Sequence, residues 1–326
     1  MLRFTAVVVE KLENLKCVLN RNRGSVTRMD NTGVIEFDVL NGLPKTVEIG
    51  AFKWTLGETE LRWDRVCNGK GFMITCQPAN KSPTLLWSCK ATGTLKSDYG
   101  GVKWKGTFGP KSTDKYVETK VSQSQGFLRV DSVKPILVDF ADPKNSLIEE
   151  EQFAVKVRVD GTDLWLSKNA LGCASPFFDA LFFGDFKEKA TNSYALTGVK
   201  LDEFIVFIGL IYGIGSVGEN NVGFVMKLAD EYECGSVMEE CIEFIQTDRL
   251  HKIPIVEKIH LAEKCKMRQL VMDLLQALLY YELKPLLWNY IMAYGTELSV
   301  DTRRLWEIRM TCFDKDGHDY VAGPPK

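Results

Sequence analysis

The sequence predicts a multidomain protein: an all-β antiparallel sandwich, then an α+β domain, then a helical C-terminal extension. Three observations carry this. Across the first 146 residues, short apolar or alternating runs are separated by Gly, Pro, Asn and Ser, the pattern of many short strands. After a polar break at 141–151, a single alternating strand leads into a series of apolar helical patterns. Charge divides along the same lines. Residues 1–146 hold 22 basic and 15 acidic groups (+7), 147–250 hold 8 and 18 (−10), and 251–326 hold 11 and 10 (+1), although the 326-residue chain carries only −2. Such asymmetry marks separate modules with different surfaces. A composition 45% hydrophobic and 26% charged excludes wholesale disorder, and the near-neutral total argues against a protein that coats a polyanion.

The elements follow in order. Strands are expected at Val34–Leu40, Thr46–Ile49, Phe52–Leu56, Phe72–Cys76, Leu85–Ala91, Val102–Phe108, Phe127–Val130 and Ile136–Phe140. Four of the seven tryptophans (Trp54, Trp63, Trp87, Trp104) fall in this half, where aromatics at strand spacing are core residues before they are ligand contacts. The stretch Ala141–Glu151 reads as a linker. Phe153, Val155, Val157 and Val159 alternate with polar or small residues as in a half-buried strand, and Asp160-Gly161 turns it into a hairpin with Leu164–Leu166. Ser175-Pro176 supplies an N-cap and a first-turn proline for a helix over Phe177–Phe182. Further helices are expected at Leu201–Tyr212, Val222–Glu233, Val237–Gln246 (opened by a capping box, Ser236 to Glu239), Ile255–Lys264 and Met267–Tyr281. The tail from Phe313 loses periodicity. The expected domains are 1–146, 147–250 and 251–300, with 301–326 a short helix and loose tail.

Chemical motifs are sparse. Gly213-Ile214-Gly215-Ser216-Val217-Gly218 is a literal GxGxxG, with Asp230, Glu231 and Glu233 near the distance of a ribose-binding acid. The run before it is of helix length and the acids lie inside the next helix, so a helix–loop connection is the better reading. Gly106 to Ser112 has the look of a P-loop, but Pro110 breaks it and removes an N–H a phosphate would need. The three histidines (His251, His260, His318) show neither zinc spacing nor a nucleophile motif and read as solvated or partly packed. Nine scattered cysteines without a CxxC pair, and no secretory signal, read as reduced thiols. No run reaches membrane-spanning length, and no basic, aromatic-interleaved stripe suggests nucleic acid. No enzyme, cofactor or metal is expected.

From Phe153 to Ile245 the sequence resembles a BTB/POZ domain. The resemblance rests on Val155 to Gly161, Leu166 to Leu171, Ser175 to Glu188, Leu196 to Val199, Asp202 to Phe204, Ile211 to Gly213, Leu228 to Tyr232 and Cys241 to Ile245. The N-terminal half is similar to a MATH/TRAF-like sandwich through Val47 to Trp54, Ile74 to Cys76 and Leu86 to Cys89. Two residues depart from the BTB pattern. Ser167 stands where the family has His, and Ala154 stands where it has an aspartate that partners the lysine at Lys168.

The resemblance implies a substrate adaptor for a cullin-3 RING ubiquitin ligase, in the cytoplasm or nucleus. The sandwich would bind a target while the BTB domain dimerises and docks cullin. It places the cullin contact at Phe186 and Glu188, with Tyr212 beside them, and the dimer interface near Leu147 and Ala170. The alternative is a BTB-mediated oligomeric scaffold without a ligase. The +7 of the first 146 residues fits either a sandwich that favours acidic or phosphorylated segments or a solvated surface with no such bias, since net charge says little about one groove.

Overall fold

The computed structural model describes residues 32–38, 44–63, 67–97, 100–110, 114–117, 125–184, 192–247 and 253–313. Two compact units, 1–216 and 217–326, are taken in turn.

In the first unit, β1 (Gly33–Asp38), β2 (Lys45–Ile49), β3 (Phe52–Trp63), β4 (Cys67–Pro78), β5 (Leu85–Ser97), β6 (Gly100–Phe108), β7 (Asp114–Val117) and β8 (Gln125–Asp139) form two antiparallel sheets. Their orders are β1-β8-β5-β6 and β2-β3-β4-β7. Alternation dictates the core. Phe52, Trp54, Leu56, Phe72 and Ile74 face Cys89, Leu95, Trp104, Phe108, Leu128 and Val130, all buried. Trp54 meets Phe108 edge-on at 5.3 Å, and each such buried side chain contributes about 1.5–3 kcal/mol.

Two expectations are corrected here. Phe127–Val130 and Ile136–Phe140 belong mostly to one strand, β8. The strand accommodates Pro135 because β1 pairs only with residues 125–130, so at Pro135 it has a free edge where no N–H is needed. The register also shifts between Thr92 and Gly93, where a side chain on Gly93 would strike Arg129 and the Trp104 ring. The short β7 escaped notice because Asp-Lys-Tyr-Val lacks an apolar run.

The expected linker is tied down. Trp165 N–H donates to Phe140 O (2.7 Å), and Asn145, only 6% exposed, donates from Nδ2 to Trp165 O (3.0 Å). Successive turns close through Asp142, Asn145 and Ile148 N–H groups. The chain then forms β9 (Ala154–Val159) and β10 (Thr162–Ser167), joined by Asp160 (φ 49°) and Gly161 (φ 77°), the left-handed pair a two-residue hairpin demands. Helices α1 (Lys168–Ala174) and α2 (Pro176–Phe183) carry the chain across to β11 (Ser193–Leu196), parallel to β9, in a sheet ordered β10-β9-β11.

Helix α3 (Leu201–Ile211) closes the unit. Its end explains the glycine motif. Gly213 (φ 67°) donates to Leu210 O (2.9 Å) and Ile214 to Gly209 O (2.7 Å), so Gly213 is the left-handed residue of a Schellman cap.

The second unit is helical: α4 (Val222–Glu231), α5 (Gly235–Thr247), α6 (Ile255–Lys264), α7 (Arg268–Gln276), α8 (Tyr280–Leu283), α9 (Leu286–Tyr294) and α10 (Val300–Met310). The capping box from Ser236 does not form. α5 starts at Gly235, which puts Ser236 inside its first turn rather than at the cap. The expected helix Met267–Tyr281 is two: the backbone leaves helical geometry at Leu279 (ψ 161°), whose N–H is taken by Glu282 (3.0 Å). The tail beyond Phe313 lies outside the described residues.

Candidate functional site

The candidate partner-binding region begins with α2. Ser175 Oγ accepts Phe178 N–H (3.1 Å) and Pro176 pre-sets the first turn. Phe178 and Phe182, one turn apart, are buried and stacked (5.7 Å between centroids), and Phe182 meets Tyr194 of β11 edge-on at 5.1 Å. The aromatic crowding therefore divides between an anchor and an outward end, where Phe183 is 46% exposed. The helix stops at Gly184, whose N–H closes on Ala180 O (2.8 Å). Phe186 and Glu188 follow at once and lie outside the described residues.

Tyr212 is placed in the core, 3% exposed, rather than at the surface a cullin contact requires. Its hydroxyl accepts Ser167 N–H (3.4 Å), pinning the end of β10 to the end of α3. Burial pushes its pKa up, and the Glu149 charge adds to this against the Ser167 bond. Leu147 (9% exposed) and Ala170 (6%) are likewise covered within their own chain. Leu147 N–H is held by Asn145 Oδ1 (3.2 Å) and Ala170 N–H by Ser167 Oγ (3.3 Å). Little of either side chain is left for a second copy.

The two departures from the BTB pattern turn out to be one. Ala154 and Ser167 are direct partners in the β9–β10 ladder, both buried. Ser167 also caps α1. Loss of a buried carboxylate is tolerated where the facing residue is small and uncharged, since an isolated buried charge costs several kcal/mol. On the exposed side of the same hairpin, Arg158 holds Asp163 at two points (2.6 and 3.1 Å), which keeps that carboxyl below its ordinary range. Exposed pairs of this kind add little to stability.

Sequence reasoning missed a chain of titratable groups in the second unit. His260 Nδ1 meets Tyr290 Oη (2.8 Å), Tyr290 donates to Glu263 Oε2 (2.8 Å), and Glu263 Oε1 accepts Ser299 N–H (3.0 Å). With Tyr290 donating onward, His260 Nδ1 is the donor. The His260 ring stacks on Tyr294 at 3.6 Å. These bonds fasten α6, α9 and α10 together and present no nucleophile. Among the described residues no group of His, Cys, Asp or Glu is arranged to hold a metal ion, and no helix is long and apolar enough to cross a membrane.

Residues 144–249 match the BTB/POZ domain family. BTB and MATH domain-containing protein 36 of Caenorhabditis elegans is 25% identical over 281 residues, 74% of this chain and 85% of that protein. BTB and MATH domain-containing protein 38 of the same organism is 24% identical over 226 residues, 60% of this chain and 57% of that protein. Kelch-like protein 21 of Danio rerio is 28% identical over 99 residues, 30% of this chain and 16% of that protein.

Proposed function

Since this chain is a MATH–BTB protein, a sandwich followed by a BTB/POZ domain, we propose that it is a substrate-recognition adaptor of a cullin-3 RING ubiquitin ligase. The observation that carries this is the order of modules: a β-sandwich is bonded through Phe140 and Asn145 directly to the BTB hairpin. The sandwich selects the target, and the BTB domain self-associates and docks cullin. The protein performs no chemistry itself and works in the cytoplasm or nucleus. Phe186-Lys187-Glu188 supplies the cullin contact, a bulky apolar anchor beside a carboxylate acceptor, the combination that makes interface hot spots. The second reading is an oligomeric scaffold without a ligase; the Ala154–Ser167 pair, where the family has other residues, weakens the transfer of the family's dimer and groove chemistry under either reading.

Co-purification of the full chain with the recombinant cullin-3 N-terminal domain separates the two. Phe186→Ala with Glu188→Ala is expected to weaken cullin binding by at least ~2 kcal/mol, with the melting temperature unchanged. Unaltered cullin affinity in the folded double variant would sink the assignment. Self-association by light scattering without any cullin binding would transfer the function to the scaffold.

A further inference from the structure

Among the described residues of the sandwich, exposed basic side chains gather on the outer face of the β1-β8-β5-β6 sheet. Register and exposure fix which residues point outward. Lys90 and Lys96 on β5, Lys103 and Lys105 on β6, and Arg129 and Lys134 on β8 are all exposed there. Arg129 is neutralised by Asp131 (2.5 Å), and Lys96 lies over the Phe127 ring at 6.0 Å. Among the described residues, no carboxylate pairs with Lys90, Lys103, Lys105 or Lys134. Lys90 stands directly opposite Lys134 in the ladder, and Lys105 lies diagonally across from Lys90. Like charges directly opposite on a sheet cost stability. The other sheet's outer face shows the ordinary arrangement, with Glu48 opposite Lys53 and Thr46 bonded to Thr55 (3.0 Å).

We propose that the Lys90–Lys134–Lys105–Lys103 face is a docking site for an extended, acidic (Asp/Glu-rich) segment of a target protein. The proposal rests on the adaptor reading only for the word target. Charge complementarity names the occupant, and its form follows from the spacing. Lys103 and Lys105 are two residues apart on one strand, the repeat of side chains along one face of an extended peptide, so alternating acids meet them in register. The outward neighbours include the hydroxyls of Thr92, Thr107 and Ser132, which donate to carboxylates, beside the half-exposed Ile136 and an Asp131 already held by Arg129. No aromatic ring stands among these four lysines to stack a base, as a single-stranded nucleic acid would require. One end of the face, beyond Lys90, is closed by helix α3, which approaches Leu86 at Gly209, so a segment enters from the opposite end, past Lys96 and Lys103.

The test is fluorescence anisotropy of the full chain with a labelled peptide of alternating Glu and Ser. Binding is expected at low salt and should fall steeply as salt rises. In Lys105→Glu/Lys134→Glu, affinity should fall about tenfold or more, since charge reversal opposes the steering field. The same variant should melt at a higher temperature, because Lys90 then has two acidic neighbours. Lys53→Glu/Lys81→Glu makes an equal charge change off the face and should leave affinity unaltered. Absence of peptide binding, equal affinity in the Lys105→Glu/Lys134→Glu variant, or tighter binding of a single-stranded oligonucleotide or of phosphatidylserine vesicles would overturn the proposal. Cullin co-purification with that variant keeps the two readings apart. If it binds cullin but not peptide, the face and the ligase stand together. If the unaltered chain binds peptide but no cullin, the face survives and the ligase reading falls.

Discussion

At the scale of the residue, the most informative position is His260. Burial and the nearby Lys264 hold its pKa below the ordinary 6.5, with Glu263 and Glu257 opposing. The unfolded chain therefore takes up the proton first. His260 contributes stability above about pH 6.5 that is lost as pH falls through its folded value. Glu263 is held below its ordinary 4.5 by the Thr302, Ser299 and Tyr290 bonds, against its own burial, so a second loss follows at lower pH. The melting temperature should fall between about pH 7 and pH 5. His260→Phe, which keeps the stack on Tyr294 but not the bond to Tyr290, should flatten that dependence, and an equal slope in both proteins would refute it. Nothing in the sequence shows this group, because its members come from three helices. Asp160-Gly161 and Ser175-Pro176 were readable because their chemistry is complete within a few residues. The core position of Tyr212 depends on where β10 meets α3, a contact that no local pattern displays.

At the scale of the element, helix α3 shows how a local preference yields to packing. Gly209 lies inside it, where alanine would normally gain about 1 kcal/mol. A Cβ there would come within 2.8 Å of Leu86 Cδ1 and 2.9 Å of Ile214 O, the second a backbone atom that cannot turn aside. Such overpacking costs about 1–3 kcal/mol, so Gly209→Ala should lower stability in a denaturant titration, and a stabilised variant would show the contact to be slack. The strands were legible where a period of two ran between turn residues. Strand β8 was read as two because the residues between Val130 and Ile136 interrupt the apolar pattern, while the ladder to β5 runs through them. Helix α8 was hidden because Leu278-Leu279-Tyr280 continues the apolar pattern while the backbone departs from it.

At the scale of the whole molecule, the order of modules was legible from the change of period and of charge sign, and the BTB resemblance over Phe153 to Ile245 lies within the family match at 144–249. What composition concealed was the joint. Ala141–Glu151 is polar and proline-bearing, as loose connectors are, yet its hydrogen bonds end on Trp165. Trp165 belongs to β10, an outer strand of the β10-β9-β11 sheet. An outer strand offers open N–H and C=O groups to any passing chain, which is how strands recruit strangers and begin to aggregate. Phe140 and Asn145 occupy both main-chain groups of Trp165, so the joint is also a guard rail against unwanted strand addition. A chain begun at Leu147 loses that guard although it keeps every strand of the sheet. It should form thioflavin-positive, concentration-dependent aggregates under conditions where a chain begun at Asp139 stays dispersed, and equal behaviour of the two would show the edge to be protected by other means.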